Sequence, residues 1–107
     1  MDQLAPETRA RGGARTGARR PANAVVRGDE LEPFHGVPIP MKDLTPVQGW
    51  PATFGSRGAP TGTSAESELV VLALQRAGFV LAGRTNTPEF GHVTITENLR
   101  HGSTRNP

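Results

Sequence analysis

The sequence contains no cysteine. Disulfides, thiol nucleophiles and cysteine-ligated zinc are therefore excluded, and the redox compartment is left open. No apolar run approaches the ~20 residues that a membrane-spanning helix needs, and the amino terminus lacks the apolar core of a secretory signal. Residues 1–27 are arginine-rich but hold no serine and no amphipathic stripe, unlike an organelle transit peptide. A cytoplasmic protein without a membrane partner is the expectation. Aromatic residues make up only 5% of the chain, and none falls in residues 1–27. Six arginines in that segment stand against Asp2 and Glu7, whereas residues 28–107 carry six basic and eight acidic side chains. The net positive charge is thus a property of the tail. A nucleic-acid site needs basic residues on a folded face, with aromatics to stack on bases, so no nucleic-acid partner is expected.

At 107 residues the chain has room for one domain at most. Residues 1–22 are rich in Gly, Ala and Arg; Gly12, Gly13 and Gly17 interrupt any helix, and only Leu4 offers an anchor. A mobile tail is expected there. Asn23-Ala24-Val25-Val26 is the first apolar cluster, suited to a short strand or a helix end. In Gly36-Val37-Pro38-Ile39-Pro40-Met41-Lys42-Asp43 the apolar residues Val37, Ile39 and Met41 alternate, the period of a strand. The prolines make it an edge or irregular strand. Asp43 to Gly62 is dense in Gly and Pro yet carries Val47, Trp50 and Phe54, the pattern of a packed loop over a core.

Thr63-Ser64-Ala65-Glu66 fits a capping box, from which a helix is expected over Ser64 to Ala77. Leu69 to Leu74 is apolar nearly all round, so that helix should be buried on much of its surface. Gly78 is suited to end it in the left-handed conformation, and Phe79 to Ala82 reads as a short buried strand. Helix, glycine, strand is the rhythm of an α/β protein. Thr87-Pro88-Glu89 opens a second short helix with Thr87 as cap, and Val93 and Ile95 alternate beyond it. No repeat, Walker loop or Gly-x-Gly-x-x-Gly fingerprint is present.

Lys42 lies at the end of the apolar strand. It reads either as a solvated lysine beside Asp43 or as an amine desolvated enough to serve as a base. His35, His92 and His101 have no metal-ligand spacing, so no metal or cofactor is expected. Ser56, Ser64, Ser67 and Ser103 lie outside any Gly-x-Ser-x-Gly elbow; Ser56 reads as a turn residue, Ser64 and Ser67 as part of a helix start. Arg84, after a buried strand, either faces a site or pairs with Glu89 or Glu97.

Taken together, these stretches resemble the amidase signature family. Phe34 to Asp43 resembles its lysine-bearing motif and Gly49-Trp50-Pro51-Ala52-Thr53-Phe54-Gly55-Ser56 the segment after it. Leu69 to Gly78 is similar to its buried helix, and Ala82-Gly83-Arg84-Thr85-Asn86-Thr87-Pro88-Glu89-Phe90-Gly91 to its Gly-Lys-Thr-Asn segment, with Arg84 in place of the commoner lysine. Thr96-Glu97-Asn98 and Gly102 to Pro107 resemble the family's next stretches. The likeness covers roughly residues 33–107 in order, which is more specific than any single motif.

The resemblance implies a fragment of a layered α/β/α fold with a mixed sheet, residues 23–107 forming the amino-terminal part of an amidase domain. It implies hydrolysis of linear amides by a nucleophilic serine, a bridging serine and a lysine, with Lys42 as that lysine and a small-molecule amide as partner. It leaves room for a homo-oligomer. Both serines belong to a Gly- and Ser-rich region expected after Pro107, so the 107 residues alone are expected to be inactive. The alternative is a non-catalytic remnant or binding module derived from an amidase. In hydrogen exchange, amides of residues 1–22 should exchange fastest and those of Leu69–Leu74 slowest; a protected tail or an unprotected helix would contradict this reading.

Overall fold

The computed structural model describes residues 21–106. The expected tail falls outside these residues except for Pro21 and Ala22, which belong to a helix over residues 21–27 (α1). Asn23 to Val26 is thus helical. The helix ends at Gly28, φ +71°, where the Asp29 amide donates to the Ala24 carbonyl at 3.1 Å.

The alternation of Val37, Ile39 and Met41 produces strand β1, Pro38–Lys42. Its partner is β2, Val80–Thr85, and the two run parallel. Parallel strands need a long crossover, supplied here by the loop after Lys42 and the helix α2, Leu69–Arg76. Pairing proceeds from Pro38 opposite Val80 and Ile39 opposite Leu81, then slips so that Pro40 faces Gly83, Met41 faces Arg84 and Lys42 faces Thr85. Ala82 is left over as a bulge. The slip falls at Pro40, which has no N–H to give to a ladder. A second, antiparallel pair joins β3, Glu97–Asn98, to β4, Gly102–Ser103.

The expected capping box does not form. Backbone pairing with the loop claims Thr63 and Ser64: Thr63 bridges Pro51, and the Ser64 amide donates to the Trp50 carbonyl at 2.9 Å. The Ser67 hydroxyl accepts from the Gln48 amide at 2.8 Å. Helix α2 therefore starts only at Leu69, capped by Glu68 in extended conformation without a side-chain bond. Its end is as expected. Gly78 has φ +100°, the Phe79 amide reaches the Leu74 carbonyl and the Gly78 amide the Gln75 carbonyl, both at 3.1 Å. This double closure satisfies carbonyls that the helix end leaves open. The same glycine lies against the turn before β1, where a Cβ would come within 2.8 Å of the His35 amide nitrogen.

Met41, Val47, Trp50, Val71 and Leu81 form the core, with Ile39 and Leu74 packed on it. Val47 and Trp50 thus fold the long loop over the sheet, as their burial demanded, and Phe54 is half-buried beside them. The helix corrects the expectation of burial all round. Val71 is fully enclosed, but Leu69 is 84% and Val70 51% exposed. A single two-stranded sheet covers one side of a helix, and the described residues supply no second layer. Val93 and Ile95 are also exposed, and residues 92–96 form no strand.

Exposed apolar surface of this extent, beside open strand edges, favours association. The 107-residue chain on its own should unfold over a broad temperature range and self-associate in sedimentation velocity. A sharp transition from a monodisperse monomer would contradict that expectation.

Candidate active site

The strand period that sends Met41 into the core turns Lys42 to the opposite face. Lys42 is exposed, and its side chain makes no hydrogen bond or ion pair with a described residue. Among the described residues it is a solvated side chain. The backbone around it is fixed more firmly. The Asp43 amide continues the ladder to the Thr85 carbonyl at 3.1 Å, and the Thr45 amide closes a turn on the Lys42 carbonyl at 3.0 Å.

Asp43 is buried. One carboxylate oxygen, Oδ1, accepts from the Thr53 amide at 2.9 Å, and Oδ2 accepts from the Thr53 hydroxyl. The Asp43 carbonyl accepts from the Phe54 amide at 3.1 Å. One residue thereby fastens the start of the loop to its far end. Arg84 is buried beside it and pairs with Asp43, Nη1 to Oδ1 at 3.4 Å, not with Glu89 or Glu97. The correction follows from the pairing of β1 with β2. The two strands end level with one another, so residue 84 meets residues 41 to 43. Arg84 Nη1 also donates to the carbonyls of Lys42 at 3.3 Å and Thr45 at 3.1 Å. Its guanidinium lies 5.8 Å from the centre of the Trp50 ring, within range of a cation–π contact. Burial pulls the Arg84 pKa below its ordinary value, and the negative charge of Asp43 pulls it back up; the guanidinium stays charged.

The Gly55 segment turns on left-handed backbone at Phe54, φ 53°, and Gly55, φ +66°. Gly55 is pressed against the Thr87–Pro88 backbone. Ser56 sits in a turn, as expected, but is buried: its hydroxyl donates to Glu89 Oε1 at 2.5 Å and accepts from the Gly58 amide at 3.1 Å. Thr87 does not cap the short 3₁₀ helix Glu89–Gly91; Pro88 precedes that helix, and the buried Thr87 hydroxyl donates to the Pro88 carbonyl at 3.0 Å. Asn98 Nδ2 donates to the Thr87 carbonyl at 2.8 Å, while its Oδ1 accepts from the amides of Arg100 and His101. His35 bonds the Pro21 carbonyl, His92 meets the edge of Phe90, and His101 lies 3.4 Å from the Thr53 hydroxyl. Among the described residues no serine hydroxyl is bonded to a lysine or histidine, and no cluster of three His, Cys, Asp or Glu side chains forms.

The family model described as amidase matches residues 9–107. The chain belongs to the amidase signature family. It is 44% identical over 80 residues to an acylamidase of Rhodococcus erythropolis, an alignment that covers 75% of this chain and 17% of that protein. It is 38% identical over 95 residues to a glutamyl-tRNA(Gln) amidotransferase subunit of Acidothermus cellulolyticus, covering 89% of this chain and 19% of that one. Among solved structures it resembles a chain of a vestigial protein complex bearing on the origins of an s-triazine catabolic enzyme. There the TM-score is 0.86 at 32% identity, over 100% of this chain and 24% of the other. A bacterial aryl acylamidase of the amidase signature family gives a TM-score of 0.75 at 30% identity, over 91% of this chain and 21% of the other. The chain thus spans about a fifth of the length of these relatives. The α/β class and the likeness of fold stand with this membership.

The glycine at position 55 offers a direct check on the loop geometry. A Cβ there would lie 2.6 Å from the Thr87 carbonyl oxygen, whereas at Gly58 it would meet only the Ser56 hydroxyl at 3.6 Å. Gly55→Ala should shift the loss of structure in urea to clearly lower concentration, since forcing a side chain into such backbone usually costs roughly 1–3 kcal/mol. Gly58→Ala should cost much less; equal effects would count against the close approach of Gly55 to Thr87.

Proposed function

We propose that this chain is the lysine-bearing segment of an amide hydrolase, with Lys42 as the base of a Ser-Ser-Lys mechanism. The observation that supports it most is the placement of Lys42: at the carboxyl end of a parallel strand, turned away from the core, with an amine unengaged by the described residues and a pinned carbonyl. Ligand sites in open α/β sheets lie beyond the carboxyl ends of strands. Family membership supplies the reaction class.

In this reading a neutral Lys42 amine takes a proton from a bridging serine hydroxyl, which takes one from the nucleophilic serine. The nucleophile's oxygen then bonds to the amide carbon, backbone N–H groups hold the oxyanion, and the amine leaves with the proton returned through the bridge. Water hydrolyses the acyl-enzyme by the same relay. Burial favours an uncharged amine over an ammonium, so the role calls for a covering layer above β1. Both serines belong to protein outside these 107 residues, which by themselves are inactive. No cofactor enters the scheme. A small-molecule linear amide is the substrate class, in keeping with the acylamidase relative, and the protein works in the cytoplasm. Assembly with other chains is in keeping with relatives that are subunits or members of complexes. The second reading, a non-catalytic remnant or binding module, draws on the lack of a described serine engaged by lysine or histidine.

The test places residues 28–106 in the R. erythropolis acylamidase in exchange for its matching segment and follows ammonia release from a primary amide. The chimaera should turn over and the bare chain should not. Lys42→Ala in the chimaera should remove at least the ~10²–10⁴-fold expected of a positioned base. Lys42→Arg should fare little better, because a guanidinium does not give up its proton. An active bare chain, or a chimaera indifferent to Lys42→Ala, would overturn the assignment.

A further inference from the structure

The polar contacts of Arg84 have an unusual distribution. Asp43 Oδ1, the Lys42 carbonyl and the Thr45 carbonyl all meet one atom, Nη1, at 3.4, 3.3 and 3.1 Å. Nε and Nη2 are buried without a hydrogen-bond partner among the described residues. An arginine selected for its fork would spread its donors over a planar acceptor pair. Here three acceptors converge on a point, the arrangement that suits a compact cation with three N–H donors.

We propose that this point is a cation site whose task is to position Lys42, and that Arg84 is its occupant. Resting on the reading of Lys42 as the base, the role works through the backbone. The cation holds the Lys42 carbonyl and thereby the plane of the Lys42–Asp43 peptide. Asp43 holds the cation, and through Thr53 it ties the same point to the Gly55 loop. With the carbonyls of residues 42 and 45 fixed on one nitrogen, the turn leaving β1 has little freedom to rotate, and the direction in which the Lys42 side chain departs is set. Neither Asp43 nor Arg84 touches a reacting atom. Misplacement of a catalytic group by about 1 Å is enough to cost on the order of 10²-fold in rate, so loss of the cation should appear in turnover before it appears in substrate affinity.

Three variants of the active chimaera test this, each with kcat, KM and the unfolding midpoint measured. Arg84→Met alone strands a buried carboxylate and is expected to lower the midpoint. Asp43→Asn combined with Arg84→Met removes both charges while keeping an acceptor for the Thr53 amide, so the fold should persist. Its kcat should fall by about 10–100-fold with KM changed less than about two-fold. Arg84→Lys places an ammonium, one bond shorter in reach, among the same three acceptors and should recover kcat to within about five-fold. A folded double variant with parental kcat, beside an inactive Lys42→Ala, would overturn the positioning role and leave the base assignment intact. A fully active Lys42→Ala would instead overturn the base assignment. Should the double variant not fold, Arg84→Lys decides alone: a folded protein with crippled kcat sinks the point-cation site, and near-parental kcat upholds it.

Discussion

A carboxylate and a guanidinium enclosed together between the ends of two parallel strands hold the site region in place. Each would be costly to bury alone, and removing one partner of such a pair typically costs about 3–5 kcal/mol. Asp43 and Arg84 answer one another at 3.4 Å, and both also bond neighbouring groups. Asp43 takes the Thr53 amide and hydroxyl; Arg84 takes the carbonyls of Lys42 and Thr45. Pairing of β1 with β2, the turn after Lys42 and the return of the loop at Thr53 therefore share one electrostatic centre. The apolar core lies next to it, with Trp50 belonging to the core and facing the guanidinium.

Arrangement around that centre separates rigid parts from open ones. The strand ends, the Gly55 turn and the Thr87–Asn98 contacts are laced by short-range polar bonds. By contrast, the outer surface of α2 and residues 93–95 present apolar side chains to solvent. Such surface is what relatives about five times as long would have material to cover. The segment carries Lys42 on a fixed backbone, with apolar side chains exposed elsewhere on its surface.

Legibility in the sequence follows the range of the interaction. The alternation of Val37, Ile39 and Met41 and the helix-ending role of Gly78 are local signals, and both appear in the structure. Val47 and Trp50 are readable as buried because side chains of that size in a Gly/Pro-rich loop have few other fates. Thr63 to Glu66 carries an equally clear local signal that fails, because its backbone bonds to residues 48 to 51 instead. The expected partners of Arg84 fail for the same reason. Glu89 and Glu97 are nearer in sequence, but Asp43 is brought alongside by the strand pairing. Asn98 and Thr53, which organise two turns, carry no local signal that sets them apart. Lys42 itself is singled out by its resemblance to a motif, since by spacing alone it could equally be a solvated surface residue.

The bulge at Ala82 has a consequence for how this region tolerates change. Leu81 and Arg84 are three positions apart on one strand, so strict alternation would send them to opposite sides; both point inward only because the extra residue shifts the phase between them. Face selection along β2 is in that sense a matter of parity. Deleting residue 82 would leave Leu81 and Arg84 two apart, on one face of a regular strand, with the guanidinium still inward; keeping all the residues but straightening the bulge would turn the guanidinium outward and leave Asp43 enclosed without its counter-charge. The inward turn of the guanidinium thus depends on the bulge itself rather than on the identity of the residue that fills it.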